Sequence, residues 1–309
     1  MPKSFLRVAD LSAADFGLVL DRALAYKSEP GRGATLLRGR SVTLYFNKPS
    51  TRTRISFETA VHRLGGLPVT VGPNDLQMGR GETVEDTARV ISRYSAAFVT
   101  RTYSDGEIAR FAAAASIPVI NALTDGHHPC QALADLMTLR ERFGQLKGLT
   151  LTYVGAGNNV VHSLLEASAL AGVHMRVATP PEYPADPAIV DAARALAKGS
   201  GARIEVMTDP SAAVAGADAI YTDTWLSMGD PDEEKAARQR ILAPYRVDAA
   251  LMAKAKPSAI FLHCLPAHRG EEVTNEVADS PASAIFDQAE NKLHTSMAVL
   301  DVLVTGALG

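Results

Sequence analysis

Cysteine is scarce, with two residues in a chain of 309. That is too few for a disulfide framework and points to a reducing, cytoplasmic setting. There is no excess of either charge: 31 Lys+Arg against 34 Asp+Glu leave a formal charge of -3, which speaks against a nucleic-acid binder, where a basic surplus is the rule. No apolar run reaches the roughly 18 residues of a membrane span. The best stretch, Phe111 to Leu123, is broken by Ser116, Pro118 and Asn121. The first ten residues lack the apolar core of a secretion signal. Repeats, linker tracts and low-complexity segments are missing as well. What is present is 47% hydrophobic and 21% charged residues, the make-up of a globular protein, and at roughly 150 residues per domain the length suggests about two domains.

Short β-rich runs alternate with helical periodicity, the pattern of an α/β chain with parallel sheets. In the first half the expected strands are Val42 to Phe46, Leu67 to Val71, Ala97 to Thr100 and Pro118 to Asn121. Phe57, Ala60, Val61 and Leu64 follow helical spacing and Gly65-Gly66 stops that helix. Thr83 with Asp86 reads as a capping signal for a helix through Tyr94, and a helix is expected from Pro129 to Arg142, with proline in the first turn. The second series of strands reads Leu149 to Val154, Met175 to Ala178, Ile204 to Met207, Ala219 to Thr222 and Ala259 to Leu262, then a last strand at Ala284 to Phe286 and a helix over Gln288 to Leu308. The break between domains is placed at Gly144 to Gly148, giving domains 1–145 and 146–309, with the last helix able to pack back on the first domain.

The unusual polar groups all follow an expected strand, where parallel α/β sheets bind ligands. Two sheets facing one another at those ends would define an active site in an interdomain cleft. Ser50-Thr51-Arg52-Thr53-Arg54 joins a strand to a helix start and offers hydroxyls and guanidinium groups where N–H groups and the helix dipole attract an anion; its plainer reading is a solvated helix start capped by Ser50. Arg101-Thr102 follows the third strand. His128-Pro129-Cys130-Gln131 brings an imidazole that can donate to a carbonyl oxygen and an amide that can accept from an NH₂ group. Gly155-Ala156-Gly157-Asn158-Asn159 resembles a dinucleotide turn, but Val160 stands where a third glycine is needed, and the next strand ends in Thr179-Pro180, with no acid for a ribose. Asp223 with Ser227-Met228-Gly229 could hold an ammonium group, or cap a turn and fill the core. Cys264 in His263-Cys264-Leu265-Pro266 is a small core residue or a reactive thiol. A zinc site among His127, His128, Cys130, His263 and Cys264 lacks any of the usual paired spacings. Asp230 to Arg240 is a solvated charge run or a mobile lid.

Taken together and in this order, Ser50-Thr51-Arg52-Thr53-Arg54, His128-Pro129-Cys130-Gln131, Asp223 with Ser227-Met228-Gly229, and His263-Cys264-Leu265-Pro266 resemble the ornithine carbamoyltransferases over nearly the whole chain. The first two motifs are shared by all transcarbamylases; the last two mark the ornithine branch. The resemblance implies transfer of the carbamoyl group of carbamoyl phosphate to the δ-amine of ornithine, giving citrulline and phosphate, a step of arginine metabolism. It implies Ser50, Thr51, Arg52, Thr53 and Arg101 on the phosphate, with His128, Gln131, Gln77 and the backbone of Cys264 and Leu265 on the carbamoyl group. Asn159, Asp223, Ser227 and Met228 would take the amino-acid end of ornithine. Cys264, with Asp223, would accept the proton, and Arg101 and His128 would stabilise the oxyanion. No metal or organic cofactor is implied, no nucleic acid or membrane partner, and the family assembles as homotrimers. Two positions depart from the family pattern. Gly155-Ala156-Gly157 replaces Gly-Asp-Gly, and Glu290-Asn291-Lys292 replaces Glu-Asn-Arg, which puts Lys292 where an arginine reaches carbamoyl phosphate. A transcarbamylase for another amine or an acylated ornithine, or a non-catalytic binding homologue, are the alternatives.

Overall fold

The structure is a computed structural model that describes residues 4–78, 81–226 and 232–307, with the backbone alone for 232–234. The chain divides into two compact units, Met1–Met137 with Glu290–Gly309, and Thr138–Ala289. Each carries one sheet whose strands are all parallel. In the first unit the strands are β1 (Ser41–Phe46), β2 (Leu67–Val71), β3 (Phe98–Arg101) and β4 (Val119–Leu123), in the order β2-β1-β3-β4. In the second they are β5 (Thr150–Val154), β6 (His174–Ala178), β7 (Ile204–Met207), β8 (Ala219–Thr222) and β9 (Ile260–His263), in the order β7-β6-β5-β8-β9. The helices are α1 (Ala13–Ser28), α2 (Thr51–Arg63), α3 (Val84–Ile91), α4 (Asp105–Ala114), α5 (Pro129–Phe143), α6 (Asn159–Ala171), α7 (Pro187–Ser200), α8 (Pro210–Val214), α9 (Asp232–Leu242), α10 (Ala249–Met252), α11 (Asn275–Ala278) and α12 (Ile285–Thr305).

The inner strands β5 and β8 are buried almost throughout, and so are the edge strands β4 and β9, whereas the opposite edges β2 and β7 carry exposed residues; sheets with parallel strands are covered on both faces. Phe98 stacks on Phe111 with ring centroids 4.1 Å apart in the first unit. In the second, Val154, Ile220, Trp225 and Phe261 share one buried cluster. Helix starts are capped as their sequences dictate: Ser12, Ser50, Thr83, Ser104, Asn158 and Thr274 each accept a first-turn N–H through the side chain.

Two element boundaries differ from the sequence reading. Ala284 to Phe286 is not a strand. Phe261 makes a single bridge to Ser283 through the Ala282 and Ala284 backbone, and α12 begins at once at Ile285, leaving Phe286 exposed on the helix. The helix expected through Tyr94 ends at Ile91, where the Ser92 N–H closes the last turn. The two compact units divide within the sequence of α5, between Met137 and Thr138, and that helix ends before Gly144, which adopts φ +77°. The carboxyl-terminal part of α12 belongs to the first unit. There the Asp301 carboxylate accepts from Arg22 at 2.7 Å and from the Tyr26 hydroxyl at 3.0 Å, both on α1.

Both sheets reverse direction once. The chain leaves β1 for β2 on one side and returns to β3 on the other; it leaves β5 for β6 and β7, then returns to β8. Such a switch point opens a crevice at the carboxyl ends of the central strands. The polar motifs sit at those two places.

Candidate active site

In the first unit, the turn after β1 leads into α2 with Ser50 as the cap, its Oγ accepting the Thr53 N–H at 3.3 Å. The remaining first-turn N–H groups face outward at the positive end of the helix dipole, a ready anion site. Thr53 is buried, and its hydroxyl oxygen accepts from the Lys292 ammonium on α12 at 3.1 Å. Lys292 is itself 5% exposed. Arg101 ends β3, opposite Phe46 of β1. The β3–β4 register shifts between Thr100 and Arg101, and a bulge of this kind re-aims the side chain that follows it.

His128 and Gln131 come from the start of α5, both buried. Burial, then the charges of Lys292 and Arg101, hold the His128 imidazole well below its usual value. It is neutral at physiological pH and can donate to an oxygen without carrying charge. The Gln131 amide nitrogen donates to Asp135 at 2.7 Å, and its buried oxygen meets no donor among the described residues. That leaves an acceptor suited to an NH₂ group. Cys130, between them, bonds the Asn121 carbonyl at 3.3 Å, and burial pushes its thiol up to about 12, so it is inert. Thr51 is exposed and Arg52 half-buried. Arg54 is exposed and engaged with Glu58 at 2.9 Å. Gln77 is exposed in the loop after β2, and no hydrogen bond among the described residues joins its side chain to this set.

In the second unit, β8 and β9 pair with Thr222 opposite His263. The next residue on each strand is therefore Asp223 and Cys264, and the thiol donates to the carboxylate at 3.0 Å. The Asp223 carboxylate also accepts from Asn158, the cap of α6, at 2.7 Å, and from the Thr224 N–H at 2.8 Å. Asn159 is half-buried in the first turn of the same helix. Ser227 and Met228 lie outside the described residues.

Behind Cys264 stands a chain of buried polar groups. The Leu265 N–H donates to His263 Nδ1 at 2.8 Å, which makes that nitrogen an acceptor and places the ring proton on Nε2, 3.1 Å from the Glu272 carboxylate. His263 and Glu272 are fully buried. The His263 N–H reaches Gln288 at 2.9 Å, and Gln288 reaches the Tyr221 hydroxyl at 3.1 Å. Leu265 adopts φ +59° and precedes a cis peptide bond to Pro266. That left-handed backbone disfavours a branched residue, and the contact to His263 holds it. Asp223, His263 and Cys264 bring three donor atoms within 4.8 Å of one another, yet both His263 nitrogens are committed, to Leu265 and to Glu272.

Sequence reasoning singled out the Asp223–Cys264 pair and the Thr53–Lys292–His128–Gln131 set. It missed Glu272 and Gln288, which follow Cys264 by 8 and 24 positions in sequence and carry no local motif. Nor did it single out Asn158, whose amide donates to Asp223; the expectation for Asn159, at the amino-acid end of ornithine, is a separate one. The cue to Asn158 was present: an asparagine directly after Gly157 at a strand-to-helix turn is a helix cap.

Two polar sets result. One gathers cations, hydroxyls and a helix start, able to hold a phosphate beside a polarised carbonyl. The other holds a carboxylate and a thiol, able to receive an ammonium and take its proton.

Residues 3–141 match the carbamoyl-phosphate-binding domain of the aspartate/ornithine carbamoyltransferases, and residues 147–303 their aspartate/ornithine-binding domain. An ornithine carbamoyltransferase of Acidothermus cellulolyticus is 52% identical over 309 residues, covering 100% of this chain and 99% of that one. The solved ornithine carbamoyltransferase of Pyrococcus furiosus is 46% identical, with a TM-score of 0.95 over 100% of this chain and 99% of that one. An acetylornithine transcarbamylase complexed with acetylcitrulline is 30% identical, with a TM-score of 0.88 over 97% and 98%.

Proposed function

The chain belongs to the aspartate/ornithine carbamoyltransferase family, and from that premise we propose that it transfers the carbamoyl group of carbamoyl phosphate to the δ-amine of L-ornithine, giving L-citrulline and phosphate. The observation that carries the choice of acceptor is the Asp223–Cys264 pair, a carboxylate and a thiol 3.0 Å apart at neighbouring strand ends. An ornithine side-chain amine titrates near a lysine, about 10.4, so the neutral nucleophile costs roughly 4 kcal/mol at pH ~7.5. Asp223 attracts the ammonium, and the pair offers a route for its proton.

The first-unit residues serve the donor. Ser50, Thr51, Arg52, Thr53 and Arg101 hold the phosphate, with Lys292 bonded to Thr53 at their back. The neutral His128 donates to the carbamoyl oxygen and the Gln131 oxygen accepts from its NH₂ group, joined by the Cys264 and Leu265 carbonyls. The amine nitrogen then forms a bond to the carbamoyl carbon. As the tetrahedral species collapses, the C–O bond to phosphate breaks and phosphate leaves with the electron pair. Arg101 and His128 stabilise the oxyanion on the way. Asn159, Ser227 and Met228 belong to the amino-acid end of ornithine, and no metal or organic cofactor takes part. A homotrimer, with Gln77 serving a neighbouring copy, completes the reading; sedimentation showing a fully active 32.8 kDa monomer would remove that part of it.

The test is product formation with carbamoyl phosphate and a panel of amines. Citrulline from ornithine is expected, with little product from putrescine or Nα-acetylornithine. Carbamoylation of another amine while ornithine stays unreacted would overturn the assignment, and no carbamoylation of any amine would make the chain a binding homologue.

A further inference from the structure

We propose that Asp105, at the start of α4, is a positioning residue for carbamoyl transfer: its carboxylate fixes the loop between β4 and α5 and so aims His128 at the carbamoyl oxygen. What His128 does there rests on the carbamoyltransferase reading; the hold on the loop does not.

Residues 124–128 join the end of β4 to α5 and belong to no helix or strand. Their shape is set by bonds from neighbouring elements, and Asp105 supplies two of them. Its Oδ1 accepts from the Thr124 hydroxyl at 2.5 Å, and its Oδ2 accepts from the Gly126 N–H at 3.0 Å. Thr124 is fully buried, and its hydroxyl oxygen accepts in turn from the Asn121 amide at 3.0 Å. The Thr124 N–H donates to the His127 carbonyl at 2.9 Å, closing a turn immediately before His128. His128 directly precedes α5, so a shift of this loop is a shift of its imidazole.

Capping does not explain Asp105. Ser104 caps α4 by accepting the Glu107 N–H at 3.1 Å, and Glu107 already places an acid in the first turn. The Asp105 carboxylate turns back to the loop instead, and Gly126 leaves room for it: a Cβ there would lie 2.6 Å from Asp105 Oδ2. A carboxylate suits the place because it accepts on both oxygens, whereas an amide would set its NH₂ against one of the two donors. The neighbouring Asp125 is held from the other flank by Lys48, whose ammonium also lies 4.1 Å from the centre of the Tyr103 ring. With that second clasp in place, losing Asp105 displaces the loop without freeing it.

A buried, neutral imidazole stabilises a developing oxyanion through its geometry. Misaiming it costs turnover more than affinity, because the groups assigned to the phosphate, on α2 and at the end of β3, sit on other elements.

Asp105→Ala and Gly126→Ala break the contact from its two sides. Both are compared with wild type in steady-state kinetics and by hydrogen–deuterium exchange, with thermal melts to verify folding. In each, kcat should fall about 10- to 100-fold, the cost of a misplacement on the order of 1 Å, with little change in KM for carbamoyl phosphate. Asp105→Asn, which keeps one acceptor, should recover part of the loss. Exchange should quicken in peptides covering residues 124–128 and match wild type in those covering α2. A positioning role also requires non-additivity: in a His128→Asn background, Asp105→Ala should lower kcat by less than about 3-fold. An equal loss in both backgrounds would make Asp105 a merely structural acid and overturn the proposal. So would unchanged kcat in Asp105→Ala and Gly126→Ala, or unchanged exchange at 124–128. Should wild type carbamoylate no amine, the carbamoyltransferase reading falls, while the exchange arm still decides whether Asp105 holds the loop.

Discussion

The two units solve the same geometric problem with opposite electrostatics. Each places its polar groups at the switch point of a parallel sheet, beside a helix whose cap is a short polar residue, Ser50 in one and Asn158 in the other. In the first unit the helix start keeps its field for a ligand, and cations crowd in: Arg52, Arg101 and the buried Lys292. In the second, the cap turns its amide toward a carboxylate, and Asn158, Thr224 and Cys264 all donate to Asp223. One fold of sheet and helix therefore suits a leaving dianion or an arriving cation according to what stands after two strands. The architecture supplies position, and a handful of side chains supply sign.

The largest effect should come from erasing the sign in the second unit. Asp223→Asn keeps the shape but removes the charge proposed to draw the ornithine ammonium. A fall in kcat of roughly 10²–10⁴-fold is expected, with KM for carbamoyl phosphate nearly unchanged in steady-state kinetics. A comparable rise in that KM would mean the two sets do not divide the substrates as described.

The counterpart in the first unit is Arg101→Lys, which keeps charge and loses the planar fork. The loss of one charge-assisted bond, about 1.5–3 kcal/mol, should raise KM for carbamoyl phosphate by about 10- to 150-fold. If the two sets serve one reaction, they are also linked in binding. In calorimetry, ornithine should bind about 5- to 150-fold more tightly when an unreactive carbamoyl phosphate analogue is present, a coupling of ~1–3 kcal/mol. Equal affinity with and without the analogue would break the link.

Lys292 sharpens the contrast within one position. Its ammonium donates to the Thr53 hydroxyl at 3.1 Å, where the family pattern has a guanidinium. Lys292→Arg should lower KM for carbamoyl phosphate, by at most the ~1–3 kcal/mol of one charged hydrogen bond, and Lys292→Ala should raise it. Unchanged kinetics in both would make Lys292 a buried structural cation.

The smallest effect expected is on stability. His128 is held well below 6.5 by burial first and by Lys292 and Arg101 next. Above pH ~6.5 it is neutral both folded and unfolded and costs nothing. As pH falls below that value the unfolded chain gains a proton that the folded chain refuses, so stability drops until the folded value is reached. His128→Gln should flatten the fall of Tm below pH 6.5 in thermal melts.

Legibility in the sequence followed sequence distance. Strands β2, β7 and β8 were read to the residue, because buried parallel strands are short apolar runs between turn signals. The same rule failed at Ala284 to Phe286, where an apolar triplet is one bridge and then a helix; length was the missing cue. Candidate residues within a motif, such as Thr53 and His128, are legible in the sequence because their neighbours mark them. Glu272 is not, since a buried acid after the Gly270 turn looks in sequence like any exposed Glu-Glu pair. Only the packed structure shows that His263 needs it.

Strand register ties the chemistry of the second unit to its inheritance. Because Asp223 and Cys264 meet only while Thr222 faces His263, losing or gaining one residue inside β8 or β9 would turn every later side chain of that strand to the other face. Point substitution can trade the acid or the thiol for another group and so retune the acceptor amine. An insertion there cannot, and the lengths of these two four-residue strands should drift far more slowly among descendants than the loops that join them.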